Sequence, residues 1–135
     1  MKRIIKTPDA PSAIGPYSQA VEINKTLYIS GQIAIDPETG QFVEGDITVQ
    51  TNQVMKNIEA ILKEAGYSFS HVVKSTCLLS NMENFVAMNE VYGSYYPENP
   101  PARAAYGVVR LPLGALVEIE TIAAKQAENH SGTIH

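Results

Sequence analysis

The sequence predicts an α+β domain in which a largely antiparallel sheet carries two helices on one face. Three observations lead to this prediction. Short β-rich segments occur early and late in the chain, two segments between them have apolar residues at helical spacing, and 135 residues, 44% of them hydrophobic, suffice for one core. Because each apolar stripe runs along one side of its helix, both helices are expected to lie on the sheet.

Three strands are expected in the first part of the chain, in the segments "KRIIKT", "SQAVEIN" and "TLYISGQIAI". The third contains Gly31, which indicates either an ordinary bulge or a place where a ligand approaches the backbone. The following "DPETGQF" combines proline, acid and glycine in turn order, so the chain reverses or loops there.

The first helix is predicted from about residue 48 to residue 65, with Gly66 where a helix would end. Its apolar residues recur at steps of three and four: Val54, Met55, Ile58, Ile61, Leu62 and Ala65.

The second half of the chain predicts a strand, a helix and two more strands. "HVVKSTCLLS" has strand composition, and Asn81 is a candidate cap for a helix whose apolar stripe is Phe85, Met88, Tyr92 and Tyr95. Prolines at 97, 100 and 101 end this helix. Strands from about 104 to 111 and from 116 to 124, joined by "PLGA", complete a six-stranded sheet.

The last strand has two different faces. Alternation puts Val117, Ile119, Thr121 and Ala123 on one side, which is the natural core face. The other side mixes acids with apolar groups, namely Leu116, Glu118, Glu120 and Ile122. A mixed face of this kind suits a partly covered sheet surface, such as a subunit interface that contains a cleft.

Composition restricts partners and location. Ten Lys and Arg residues against fourteen Asp and Glu residues give a net charge of −4, and the basic residues are not clustered. Neither nucleic acid nor an anionic membrane is therefore expected as the main partner. No segment has the length and apolarity of a signal peptide or a membrane span, and a single cysteine, Cys77, excludes an intrachain disulfide. We expect a cytoplasmic protein with a buried, inert thiol, one domain over residues 1–126, and a mobile tail over residues 127–135.

Arg103 and Glu118 form the first candidate site. Arg103 stands immediately before the predicted fifth strand and Glu118 near the start of the sixth, so pairing of these strands as a hairpin would bring both side chains to one edge of the sheet. Two other interpretations remain open at this point: a structural ion pair, or a solvated Glu118 or Glu120. Tyr17, on a stiff Gly-Pro turn, and Ser30 are further candidates.

Five motifs together resemble one known family. The segments "AIGPYSQA", "YISGQIAIDPETG", "MNEVYGSYY", "PARAAYGVVRLP" and "LVEIETIAA" occur in this order, and the chain from its start to about Lys125 closely resembles the RidA family, also called the YjgF family of reactive intermediate deaminases. The resemblance implies a chorismate-mutase-like (ferredoxin-like) fold and a homotrimer with clefts between subunits. It also implies hydrolysis of 2-iminobutanoate, 2-iminopropanoate and related enamines to 2-oxo acids and ammonia, with no metal or organic cofactor.

The resemblance assigns roles to particular residues. Arg103 matches the arginine that grips the substrate carboxylate, and Glu118 matches the carboxylate that positions and activates water. Tyr17 and Ser30 match pocket hydroxyls, and Gly31 a backbone lining position. Asn89 matches a residue contributed near the cleft by the neighbouring chain.

The chain departs from the family pattern directly after the arginine. Relatives often have a serine and a cysteine where this chain has Ala104 and Ala105. A thiol role is therefore excluded at Ala105, whereas a backbone contact from it is not, and Cys77 is no substitute because it lies in another strand. The connection from Asn89 to Arg103 is also compact, which leaves the size of the substrate open.

Two other function classes remain open. Relatives have been described as endoribonucleases or translation inhibitors, but this chain has no basic stripe, and His71, His130 and His135 are its only histidines. A non-catalytic trimer that binds small carboxylates or a protein partner would use Arg103 without needing Glu118. The preferred imine and any regulatory partner cannot be inferred from the sequence.

Overall fold

The computed structural model describes residues 1–127, which form one six-stranded sheet and two α-helices. The elements along the chain are β1 (Arg3–Ile5), β2 (Ala20–Ile23), β3 (Thr26–Gln32), α1 (Ile47–Ala65), β4 (Val72–Leu79), α2 (Phe85–Ser94), β5 (Ala102–Gly107) and β6 (Val117–Ala124). The strand order is β1-β2-β3-β6-β4-β5, and every neighbouring pair is antiparallel except β4 and β5. This confirms the predicted α+β architecture.

The first helix forms where its periodicity predicts. The Asp46 side chain accepts a hydrogen bond from the Val49 N–H at 3.0 Å, which satisfies one of the free donors of the first turn. Gly66 has a φ of 86° and closes the other end in the left-handed conformation that favours glycine. All six residues of the predicted apolar stripe are buried.

The predicted pairing of β5 with β6 is wrong, because β4 lies between them. Residues 108–116 connect the two strands around the end of β4, and this connection is bonded to β4 on both sides. The Val108 N–H donates to the Leu79 carbonyl at 2.8 Å, and the Ser80 N–H donates to the Leu116 carbonyl at 3.2 Å. A β5–β6 hairpin would leave β4 at an edge of the sheet with one neighbour, whereas the observed order pairs both edges of β4 and puts β5 at the edge.

Two boundaries differ from the predicted ones. Strand β5 runs from Ala102 to Gly107, so Arg103 lies inside the strand and not before it. Asn81 caps a short 3-10 turn, Met82–Asn84, which leads directly into α2, and its side chain accepts from the Glu83 N–H at 2.9 Å.

The core fills one side of the sheet only. Both helices contribute to it, and in β6 the predicted core residues Val117, Ile119, Thr121 and Ala123 are all buried, which confirms the predicted two-faced strand. The opposite face keeps large apolar side chains half exposed: Ile4 at 52%, Tyr28 at 48% and Tyr106 at 51%. We call this second side the open face.

Within residues 1–127, no helix is both long and apolar enough to cross a membrane. The predicted mobile tail falls almost entirely on residues 128–135, outside the described part of the chain, so it stays a prediction together with the division into one domain.

Candidate active site

A β-bulge in β3 builds the centre of the site. Ile29 lies opposite Thr121 and Gln32 lies opposite Ile119, so Ser30 and Gly31 together face a single residue of β6, Glu120. The Ser30 hydroxyl donates to the Ser18 carbonyl at 2.6 Å, and the Ser30 N–H donates to the Gln19 carbonyl at 3.0 Å. The bulge is therefore tied to the segment that carries Tyr17.

The Glu118 carboxylate occupies the space that a side chain at position 31 would need. A Cβ placed on Gly31 would lie 2.1 Å from Glu118 Oε2. Glycine at this position consequently permits close packing of the carboxylate against the strand. The bulge is one of the two interpretations that the sequence allowed for Gly31, and the approach of a ligand to its backbone stays a prediction.

The surroundings of Glu118 make its carboxylate more basic than usual. Partial burial raises the pKa of Glu118, and the neighbouring Glu120 raises that pKa further because two negative charges repel. A carboxylate with a raised pKa is a better proton acceptor once it is ionised.

An open groove of about 680 Å³ surrounds this carboxylate. Tyr17, Ser30, Gly31 and Glu118 all line it, so the structure brings these four predicted residues together. Its other walls are Pro11, Ser12, Ile14, Gln19, Gln32, Ile33, Ile35, Pro112, Leu113 and Glu120. Tyr17 is 54% exposed, so its ring lies at the surface of the groove and not in the core.

Sequence reasoning missed Gln19, which holds one wall of the groove. Its side-chain oxygen accepts from the Thr7 N–H at 2.7 Å, and its amide donates to the carbonyls of Thr7, Ala10 and Pro11. Gln19 is buried, and both its side-chain oxygen and its side-chain nitrogen are engaged by these backbone groups. A glutamine at the start of an alternating strand carries no pattern that would reveal this role.

Arg103 lies in a second group of residues with Asn89 and Ala105. Arg103 pairs in register with the buried Ser75, and Ala105 pairs with the buried Cys77, so both side chains leave β5 on the helix-covered side. The Arg103 guanidinium donates through Nη1 to Asn89 Oδ1 at 2.5 Å.

One chain does not bring Arg103 and Glu118 together. Glu118 lies opposite Leu78 on the open face, Arg103 projects from the helix-covered side, and β4 separates their strands. The expectation that both meet at one edge of a hairpin is wrong, because the hairpin does not form. The ion-pair interpretation fails with it: the one salt bridge within residues 1–127 joins Arg3 to Glu22.

Cys77 is the buried thiol that the sequence predicts. Burial raises its pKa to about 11, although the nearby Arg103, a cation that sequence reasoning did not place there, acts in the opposite direction. A thiol with this pKa stays protonated at neutral pH and is not a nucleophile.

The described part of the chain also shows where His71 lies and whether metal-ligand side chains are grouped. His71 accepts a hydrogen bond through Nδ1 from the Ser68 N–H at 3.0 Å, and it does not line the groove. Across residues 1–127, no three His, Cys, Asp or Glu side chains are grouped so that they would hold a metal ion.

Comparison with known proteins agrees with the motifs. Residues 7–125 match the family model described as Endoribonuclease L-PSP, the family to which RidA proteins belong. The chain is a member of this RidA family.

Members of the RidA family with similar sequences carry different names. A mouse protein named 2-iminobutanoate/2-iminopropanoate deaminase is 50% identical over 91% of this chain and 91% of its own length. A RutC family protein of Pyrococcus horikoshii is 54% identical over 93% of this chain and all of its own length. A crystal structure from Thermotoga maritima, described as a candidate endoribonuclease, superimposes with a TM-score of 0.92 at 46% identity, covering 94% of this chain and all of its own.

Proposed function

We propose that this RidA protein hydrolyses reactive 2-imino acids, such as 2-iminobutanoate and 2-iminopropanoate, to 2-oxo acids and ammonia, at sites completed by two copies of the chain. The observation that carries the proposal is the split site. A carboxylate suited to activate water lies in an open groove, and an arginine with no acid partner among the described residues lies on the other side of the sheet. The mouse relative, 50% identical, supports the reaction type.

A second copy would complete the site by covering the open face. That face leaves Tyr28 and Tyr106 half exposed, so its burial against another chain would remove apolar surface from water. In a homotrimer, each groove would receive Arg103 and Asn89 from the neighbouring chain. The family resemblance supports this assembly, and the single free thiol is consistent with a cytoplasmic location.

Arg103 would bind the carboxylate of the imino acid. One of its five N–H donors is used by Asn89, and the remaining donors of the planar fork can form two parallel, charge-assisted hydrogen bonds with a carboxylate. This contact would hold the imine carbon next to Glu118 of the other chain. Tyr17 and Ser30 would line the pocket, Gly31 would leave room for the carboxylate, and Ala105 would contribute only backbone groups.

Glu118 would act as the base and then as the acid. It accepts a proton from water while the water oxygen bonds to C2 of the iminium and the C=N π electrons move to nitrogen. The protonated Glu118 then delivers this proton to the amino group of the tetrahedral intermediate. Glu118, now ionised again, accepts the hydroxyl proton while the C=O bond forms and the C–N bond breaks, and the released ammonia takes up this proton, so that iminium and water become 2-oxo acid and ammonium.

A coupled assay tests the proposal. Threonine dehydratase generates the imine, semicarbazide traps what remains free, and the protein is added as wild type, Arg103→Ala or Glu118→Gln. The expected result is that wild type suppresses semicarbazone formation and neither variant does. A non-catalytic carboxylate-binding trimer would instead bind 2-oxobutanoate in all forms that retain Arg103, and would suppress nothing in any form.

RNA cleavage is a second candidate function, favoured by the description of the family model and of the Thermotoga maritima structure. If RNA were cleaved at this groove, cleavage by highly purified protein would fall with rising salt and disappear in Glu118→Gln. Cleavage that Glu118→Gln retains would indicate a contaminating nuclease.

A further inference from the structure

The guanidinium of Arg103 rests in a cradle made by one face of α2. Phe85, Asn89 and Tyr92 are spaced by four and three residues, so they share this face. The guanidinium carbon lies 5.5 Å from the ring centroid of Phe85 and 5.1 Å from that of Tyr92, and the Asn89 amide oxygen between them accepts from Nη1. We call these three residues the arginine cradle.

The partners in the cradle are all uncharged. Aromatic faces attract a cation through their quadrupole, and an amide oxygen accepts one hydrogen bond, but neither neutralises the charge as a carboxylate would. Arg103 is therefore held in place with its full charge and most of its N–H donors still available. A flexible surface arginine would lose more side-chain entropy when it bound an anion.

The ring of Tyr92, and not its hydroxyl, makes this contact. The hydroxyl is buried and has no hydrogen-bond partner among the described residues, whereas the ring faces the guanidinium. Phe85 is only partly buried and packs at the margin of the core, so it is the cradle member whose ring can be removed with least disturbance of the fold.

We infer that Phe85, Asn89 and Tyr92 are positioning residues that preorganise Arg103 for a ligand carboxylate. The inference rests on the proposed function for the identity of that ligand. Held in this way, the arginine presents a fixed fork, so the cradle acts on carboxylate binding and not on proton transfer at Glu118.

Steady-state kinetics of imine hydrolysis give the first test. Phe85→Leu keeps an apolar side chain and removes the ring, and it is expected to raise KM about threefold to tenfold with a smaller change in kcat. Phe85→Tyr restores an aromatic face and should bring KM back to within about threefold of wild type. Asn89→Asp places a carboxylate against Arg103, which competes with the substrate, and should raise KM at least about tenfold.

Phe69→Leu is the matched control for loss of an aromatic ring. The Phe69 ring packs against those of Tyr95 and Tyr96, with 5.4 Å between ring centroids, and it is not one of the two rings that face Arg103. Tyr92→Phe removes only the hydroxyl and is expected to behave like Phe85→Tyr. If Phe85→Leu leaves KM at the Phe69→Leu value, or if Tyr92→Phe raises KM as much as Phe85→Leu does, the inference is wrong.

NMR of the arginine side chains gives a readout that is independent of turnover. In wild type, the Arg103 Nε–H should be shifted upfield by the two rings and be well ordered, in contrast to the exposed Arg110. In Phe85→Leu, the Arg103 Nε–H should lose most of its upfield shift and most of its order. Equal mobility of Arg103 and Arg110 in wild type would overturn the inference.

A titration with 2-oxobutanoate separates this inference from the proposed function. If wild type has no imine hydrolase activity but its Arg103 resonance shifts on titration, and shifts at higher concentrations in Phe85→Leu, the proposed reaction fails and the cradle stands. If the resonance does not respond to the carboxylate at all, the cradle does not serve carboxylate binding.

Discussion

The Glu118 carboxylate packs directly against the backbone of Gly31, and this contact fixes where the carboxylate lies in the groove. Sequence reasoning singled out both residues, but it could not show that the missing side chain of one makes room for the other. The burial that results from this packing is also the first cause of the raised pKa of Glu118.

Gly31→Ala should separate activity from stability. The new Cβ would lie 2.1 Å from Glu118 Oε2, and the flexible end of the glutamate can move away at little cost. We expect kcat/KM for imine hydrolysis to fall at least about 100-fold, while the free energy of unfolding changes by less than about 1 kcal/mol. Assays and urea unfolding of the same preparation would measure both.

Gly93→Ala is the control for a glycine substitution without a steric clash. Nothing lies within 4 Å of a Cβ at Gly93, which is in the exposed part of α2, so the fold should gain about 0.5–1 kcal/mol and activity should persist. Retention of full activity in Gly31→Ala would show that the observed position of the Glu118 carboxylate is not needed.

Glu120 should set the acid limb of the pH profile through Glu118. The base form of Glu118 is lost as pH falls through its pKa, and the negative charge of Glu120 raises that pKa after burial. In Glu120→Gln, the acid limb of kcat/KM should therefore move to lower pH. An unchanged acid limb would show either that Glu118 is not the base or that Glu120 does not influence it.

Among the secondary-structure elements, the ends of β1, β2 and α1 are joined by one polar network. Arg3 Nε donates to Glu22 Oε1 at 2.8 Å, and Arg3 Nη2 donates to the Ala65 carbonyl at the end of α1. The Tyr67 hydroxyl donates to the other oxygen of Glu22 at 2.6 Å. Because it links three elements far apart in sequence, the network stabilises the packing of α1 on this end of the sheet.

This network should make stability depend on pH through Glu22. The hydrogen bonds from Arg3 and then Tyr67 lower the pKa of Glu22 from its ordinary 4.5. Its contribution is therefore fully present above about pH 4.5 and is lost as pH falls through the lowered pKa. It should amount to about 1 kcal/mol or less, since the Arg3 side chain is 51% exposed.

Urea unfolding at several pH values would test this contribution. Wild type should be more stable than Glu22→Gln at pH 7, and the difference should shrink as the pH is lowered below about 4.5. Glu44→Gln, at an exposed glutamate whose side chain makes no hydrogen bond within residues 1–127, should show no such trend. A difference that stays constant over this pH range would contradict the assignment.

For the assembled protein, the separation of Arg103 from Glu118 predicts that inactive variants will complement each other. In mixed oligomers, the Glu118→Gln chain supplies Arg103 and the Arg103→Ala chain supplies Glu118. Random mixing should restore about a quarter of the wild-type sites. Co-refolding the two variants and assaying imine hydrolysis would measure the recovery.

The double variant provides the control for this mixing experiment. Arg103→Ala mixed with Arg103→Ala/Glu118→Gln has no source of the arginine and should stay inactive. If the two single variants also stay inactive after mixing, although differently tagged chains purify together as oligomers larger than the 14.7 kDa chain, the site is not shared between chains.

Much of the fold could be predicted because its signals are local. The stripe from Val54 to Ala65, the cap at Gly66 and the alternation along β6 each involve residues within one element, and all three were confirmed. The motifs that resemble the RidA family are local signals too, because each is a short segment of consecutive residues, and the family match confirms them.

The strand order and its consequences required the tertiary structure. Strand order depends on which β-rich segments pair with the two edges of β4. The two residues that lie opposite Ser75 are Arg103, 28 residues further along the chain, and Thr121, 46 residues further along. Periodicity carries no information about that choice, so a hairpin was the simplest expectation. Alternation along β6 had already put Glu118 on the open face, but only the observed order separates it from Arg103 by the width of β4, which pairs its backbone fully when it has a neighbour on each side.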